Sequence, residues 1–206
     1  LFQKIILYMQ RLLAHSHTTL GRFDQYMYDY YKMDKEKGLS DEDLLEIIEL
    51  YFISLNLDTD IYHGVQQGDN GQSMVLGGMD RDGNDGFNLL SKLCLQASRN
   101  LKLIDPKINL RVSKKTPLEV FELGTELTKA GLGFPQYSND DVVIDALIQK
   151  GYEPKDARNY VVAACWEFII PGKGMDIPNI EAVSFAKAVT EAALNHLTEC
   201  DSYEAF

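Results

Sequence analysis

Apolar and polar positions along this chain repeat in two rhythms, one near 3.6 residues and one near two. Together they predict helices separated by short strands. Ser40 with Asp43 makes a capping-box-like start for a helix running toward Leu55. Residues 86–103 put Phe87, Leu90, Leu93, Cys94 and Ala97 on one face, which predicts a second long helix with Cys94 as a small core residue. Thr116-Pro117-Leu118-Glu119 reads as cap, first-position proline and first-turn acid, opening a helix that ends near Gly131. Further helices are predicted over residues 140–150, stopping at Gly151, over 154–160, and over 180–197. Residues 1–13, with Gln3, Lys4, Gln10 and Arg11 among apolar positions, read as an amphipathic helix. Strand-like runs fall at residues 73–76, 108–112 and 160–165. A helical segment separates each from the next, as in strands joined by crossover helices, so the predicted class is α/β with no internal boundary.

Composition narrows the function more than the fold. The 206 residues are 45% hydrophobic and 25% charged, enough to bury a real core, and the length suits one domain or a piece of a larger one. The net charge is −11, which argues against a nucleic-acid partner because phosphate contacts need clustered Lys and Arg. Cys94, Cys165 and Cys200 are far apart, with neither the spacing of a disulfide framework nor that of a zinc site, so reduced thiols in a cytosol are expected. No run approaches the roughly 20 apolar residues of a membrane span, and the apolar start lacks a cleavage site.

Three motifs fail on inspection. Residues 80–85 begin like a calcium loop, but the sixth place is Asp85 instead of glycine and the twelfth is Ser91 instead of glutamate. A turn leading into the next helix accounts for them better. Pro171-Gly172-Lys173-Gly174 lacks the upstream glycine and the hydroxyl residue of a phosphate loop. His15 and His17 are two residues apart, a spacing that suits no helical face, and no third ligand is near in sequence, so no metal is expected.

The stretch VVAACWEFIIPGKGMDIPN, residues 161–179, carries the strongest candidate chemistry. The bland reading of Cys165 is a small buried hydrophobe at a strand end. On a continuous strand, however, residues 165 and 167 share one face, which sets Glu167 beside the thiol and turns Trp166 away. A nearby carboxylate raises a thiol's pKa instead of lowering it. A protonated thiol is the wrong species for nucleophilic attack and the right one for moving a hydrogen atom.

Ala164-Cys165-Trp166-Glu167 followed by Pro171-Gly172-Lys173 resembles the thiyl-radical segment of glycyl radical enzymes. Four other blocks agree in order: residues 21–28 with the family's G-R-[FM]-D-Q-Y-x-Y, residues 76–85 with its L-G-G-x-D…G-N-D, residues 109–117, and residues 156–160. The resemblance implies a portion of a ten-stranded α/β barrel of the glycyl radical enzyme type, with the cysteine on a loop inside. It also implies a glycyl radical installed by a partner activase that uses S-adenosylmethionine and an iron–sulfur cluster. Cys165 would then form a thiyl radical that takes a substrate hydrogen, and Glu167 would act as general base. A homodimer of the full protein and a cytoplasmic place in an anaerobic organism are implied as well.

Single cysteine flanks, Ala164 and Trp166, disfavour the acyl-transfer branch, which uses two adjacent cysteines. The Cys-x-Glu pattern points to lyases and dehydratases of diols, amino alcohols or hydroxylated amino acids. An arylacetate decarboxylase and a non-catalytic split or degenerate subunit are the alternatives. The resemblance offers His15, Ser16 and His17 as substrate contacts: counting back from Gly21 puts Ser16 and His17 at the family's His-Ser pair, and a one-residue shift restores His15-Ser16. Asn179 falls at the place of a substrate-contacting aspartate, with Asp176 three residues earlier. Ser73 and Met74 complete the candidate contacts. The family's R-V-x-G radical loop is not among these residues, since Arg111-Val112-Ser113-Lys114 carries lysine at the glycine's place. Residues 1–206 therefore read as an internal portion of a longer barrel enzyme.

Overall fold

A computed structural model describes residues 4–5, 19–57, 71–163, 167–174 and 184–196, with the single positions 200, 202 and 204. The chain divides into two compact units, Leu1–Met175 and Asp176–Phe206. In the first, β1 (Thr19–Arg22), α1 (Phe23–Tyr26), α2 (Tyr28–Glu36) and α3 (Asp41–Leu55) are followed by β2 (Ser73–Gly77) and α4 (Leu89–Leu101). Then come β3 (Lys107–Val112), α5 (Leu118–Lys129), β4 (Gln136–Asn139), α6 (Asp140–Gln149), α7 (Pro154–Ala157), β5 (Val161–Ala163) and β6 (Glu167–Ile169). The described part of the second unit contains α8 (Phe185–His196), whose first turn is capped by the Ser184 hydroxyl accepting from the Lys187 amide.

β1 to β4 form one parallel sheet in chain order, in register Ser73 to Lys107 and Asn109 to Gln136. The α/β reading and the crossover pattern hold. Alternation along β2 divides the core in two, as a period of two requires. Met74 and Leu76 join a helix-side cluster with Phe23, Ile48, Phe52 and Leu90, while Val75 joins Ile144, Tyr160 and Val162 on the other face.

Local chemistry explains where the helices begin. The Ser40 hydroxyl accepts from the Asp43 amide, and the Asp43 carboxylate accepts from the Ser40 amide, so the expected capping box is present. α4 starts at Leu89 instead of residue 86, because Asn88 is its cap and the Asn88 side-chain oxygen Oδ1 accepts from the Leu90 and Ser91 amides. α5 is capped by Pro117, and Thr116 is not its cap: the Thr116 hydroxyl accepts from the Ser113 amide and closes the preceding turn. The helix expected over residues 154–160 is the single turn of α7. β1, β4, α1 and α2 had no counterpart in the sequence reading. Gln136–Asn139 has only Ser138 buried, so no apolar alternation marks it.

Candidate active site

β5 and β6 pair antiparallel, with Val161 opposite Ile169, Val162 opposite Phe168 and Ala163 opposite Glu167. The chain therefore reverses between Ala163 and Glu167. This corrects the expectation of a continuous strand through residue 165: Glu167 opens the returning strand, and the two-residue period does not link it to position 165. Glu167 is half-buried beside the strand end that leads to residues 164–166. Cys165 and Trp166 lie outside the described residues, as do His15, Ser16, His17, Asp176 and Asn179. The other two candidates fall on β2 and point apart. The Ser73 hydroxyl donates to the Val162 carbonyl at 3.1 Å, under β5. Met74 is fully buried in the helix-side core, on the face away from the hairpin, which removes it as a contact there.

Residues the sequence reading left unassigned hold the hairpin down. Arg111, wholly buried on β3, donates from Nε and Nη2 to the two Asp140 oxygens at 2.8 and 2.9 Å. Its Nη1 reaches the Tyr160 carbonyl and its Nη2 the Arg158 carbonyl, both at 3.0 Å. The guanidinium lies 3.9 Å from the centre of the Tyr160 ring, and the Tyr160 hydroxyl donates to Asp140 at 2.7 Å. Burial pushes the Tyr160 hydroxyl pKa upward, so it stays a donor. Gly78, at φ +77°, leaves room for the pair: a Cβ there would stand 2.5 Å from the Arg111 Cβ. Arg22 adds contacts to the Gly77 carbonyl at 3.0 Å and the Arg158 carbonyl at 3.3 Å. Burial first, and the neighbouring Arg111 charge second, lower its pKa to about 10. A charged residue inside the strand run KINLRV, and a tyrosine just before the cysteine strand, were the signals that mark this cluster.

The glycine-rich blocks are also structural. The Asp24 carboxylate accepts from the Gly77 amide at 2.6 Å and from the Ser91 hydroxyl at 2.5 Å. Gln25 donates to the Gly86 carbonyl at 2.7 Å. The Asp80 carboxylate accepts from the Asp82 and Asn84 amides, which makes residues 80–85 a turn leading toward α4, as expected. Pro171, Gly172 and Lys173 turn the chain after β6, and Lys173 pairs with Asp156 of α7. A cavity of about 700 Å³ opens at the base of the hairpin, between Leu20, Arg22, Tyr26, Val161, Ile169 and Pro171. Val161 and Ile169, the hairpin pair farthest from Glu167, line it, and Glu167 does not.

Asp24 gives a testable pH dependence. Its carboxyl is wholly buried, and burial pushes its pKa above the usual carboxylate value despite the Gly77 and Ser91 donors. The folded chain thus holds a proton that the unfolded chain releases. Its contribution to stability is full below about pH 4 and is lost as pH rises from there through the folded pKa. Asp24→Asn keeps both acceptor contacts without ionising. The variant is expected to gain stability relative to the parent as pH rises, read as urea midpoints between about pH 4 and 8; a constant difference across that range contradicts it.

Residues 5–201 match the pyruvate formate lyase-like family. Among curated relatives, the (2S)-3-sulfopropanediol dehydratase of Klebsiella oxytoca is 34% identical over 160 residues, 74% of this chain and 19% of that protein. The 4-hydroxyphenylacetate decarboxylase glycyl radical subunit of Clostridioides difficile is 29% identical over 164 residues, 75% of this chain and 18% of that protein. A solved structure described under 1,2-propanediol dehydration in Roseburia inulinivorans superposes with a TM-score of 0.76 at 32% identity, covering 82% of this chain and 23% of the other. The chain spans about a fifth of the length of these relatives. Its parallel sheet with crossover helices is part of the α/β barrel of glycyl radical enzymes. The chain belongs to the pyruvate formate lyase-like family of these enzymes.

Proposed function

We propose that the protein carrying this chain is a glycyl radical lyase of the dehydratase type, acting on a small hydroxylated substrate, a diol, amino alcohol or hydroxylated amino acid. The observation that supports this most is the place of Glu167, on the returning strand opposite Ala163, beside the segment that holds Cys165. The packed face under β5, with Val75, Tyr160 and Val162 buried, keeps water from the strand that leads there, as a one-electron relay requires. Residues 1–206 supply part of the barrel. A glycyl radical in a loop outside them supplies the oxidising equivalent, installed by a radical S-adenosylmethionine activase.

Cys165 gives up a hydrogen atom and, as a thiyl radical, takes one from the substrate carbon that bears a hydroxyl. Glu167 accepts the proton of that hydroxyl. The neighbouring carbon–oxygen bond then breaks, the leaving hydroxyl takes the proton held by Glu167 and departs as water, and Cys165 returns a hydrogen atom to the product radical. His15, Ser16, His17 and Asp176 or Asn179 hold the substrate hydroxyls, while Ser73 serves by tying Val162 in place. The full protein is expected to be a cytoplasmic homodimer.

The test is anaerobic activation followed by incubation with 1,2-propanediol, (2S)-3-sulfopropanediol and 4-hydroxyphenylacetate in turn. The expected result is an organic radical by electron paramagnetic resonance and an aldehyde from a diol. No organic radical after activation overturns the proposal. Carbon dioxide from 4-hydroxyphenylacetate, with neither diol converted, replaces elimination by decarboxylation.

A further inference from the structure

Among the described residues, the β5–β6 hairpin forms its own two-stranded sheet and shares no ladder with the parallel one. Parallel strands lock to one another through backbone pairing, whereas this hairpin is held by side chains. Ser73 donates to the Val162 carbonyl within it, and two carbonyls of the segment that leads into it accept from Arg111. Its flat fork of donors is used in two directions at once: Nε and Nη2 toward Asp140, at the start of α6, and Nη1 and Nη2 toward the carbonyls of Tyr160 and Arg158, just before β5. The ring of Tyr160 covers one face of the fork. Lysine, with its three donors on one nitrogen, cannot span that geometry.

We propose that Arg111, oriented by Asp140 and Tyr160, is the positioning residue of the hairpin. It grips the backbone that leads into β5, and so fixes where Ala163 and Glu167, and with them the segment bearing Cys165, stand over the sheet. It touches no reacting atom. Its catalytic meaning rests on the proposed roles of Cys165 and Glu167, while the grip rests on the geometry alone.

Hydrogen exchange of the chain, followed by residue, tests the grip. In Arg111→Lys the amides of Val161 and Ile169, opposite each other at the base of the hairpin, are expected to exchange about tenfold faster, while those of Ile48 on α3 and Leu93 on α4 keep the parent's rates. The emission of Trp166, the chain's only tryptophan, shifts with the hairpin amides while far-ultraviolet circular dichroism stays unchanged. In Arg111→Ala, guanidinium ion in the tens of millimolar range restores slow exchange, and ammonium at the same ionic strength does not. Hairpin amides within about twofold of the parent in Arg111→Lys overturn the proposal, as does acceleration of hairpin and helix amides together, the sign of a general structural role.

Should Arg111→Lys not fold, Tyr160→Phe keeps the ring and carbonyl and loses only the hydroxyl bond to Asp140. It is expected to speed the hairpin amides about threefold, and unchanged rates there overturn the proposal too. Loss of turnover in Cys165→Ser speaks to the chemistry, and hairpin exchange to the grip, so either reading can fail without the other.

Discussion

Asp140→Ala is expected to lower the unfolding free energy by about 3–5 kcal/mol, because it strands a buried guanidinium. Both members of the Arg111–Asp140 pair have side chains at 0% exposure and meet at 2.8 Å. Removing the carboxylate leaves the Arg111 charge with the carbonyls of Tyr160, Arg158 and Met79 and an aromatic face, none of which carries a formal negative charge. It also deprives the Tyr160 hydroxyl and the Met79 amide of their acceptor. For a chain of this size the melting temperature should fall by roughly 10 °C. Lys129–Glu126 makes the control, since it has the same 2.8 Å separation with both side chains in solvent. Lys129→Ala should leave the denaturant midpoint where it was, because water replaces the contact at little cost. Asp140→Asn, which keeps one of the two oxygens that accept from Tyr160 and Met79, should fall between the two. An Asp140→Ala midpoint equal to that of Lys129→Ala would mean that burial does not govern this pair.

Legibility in the sequence followed the range of the interaction that decides each feature. The α3 capping box depends on residues three apart, and the strands Ser73–Gly77 and Lys107–Val112 on runs of apolar letters, so both could be read. Thr116 misled because a threonine before proline satisfies two motifs, and only the position of the Ser113 amide decides between a cap and a turn. The reversal between Ala163 and Glu167 left no trace, since Ala163-Ala164-Cys165-Trp166-Glu167-Phe168 contains no Gly, Pro, Asn or Asp to signal a hairpin. The identity of Cys165 and Glu167 as candidates came from spacing and family resemblance. What holds them did not, because Arg111 lies 29 residues from Asp140 and 49 from Tyr160. A charged residue in a core strand announces that a partner exists without saying where.

Glu167→Gln is expected to separate hydrogen-atom transfer from elimination. The amide is isosteric and makes hydrogen bonds, but it cannot take up the hydroxyl proton, so turnover should fall by about 10²–10⁴. Cys165 is untouched by the change. With a substrate deuterated at the reacting carbon, its thiyl radical still takes deuterium, the S–D group exchanges with water, and hydrogen returns to the same carbon. Deuterium should therefore wash out of unreacted substrate in Glu167→Gln while product hardly forms. Cys165→Ser should show neither washout nor product, since an O–H bond is too strong to enter the exchange. Mass spectrometry of recovered substrate reads both outcomes from one incubation. Loss of washout in Glu167→Gln would place the carboxylate in the hydrogen-atom step itself, and washout in Cys165→Ser would remove sulfur from the reaction. Under the proposed roles, the antiparallel pairing of Ala163 with Glu167 would make the two steps separable: the carboxylate sits on its own strand, and changing it leaves β5, the strand that leads toward residue 165, in place.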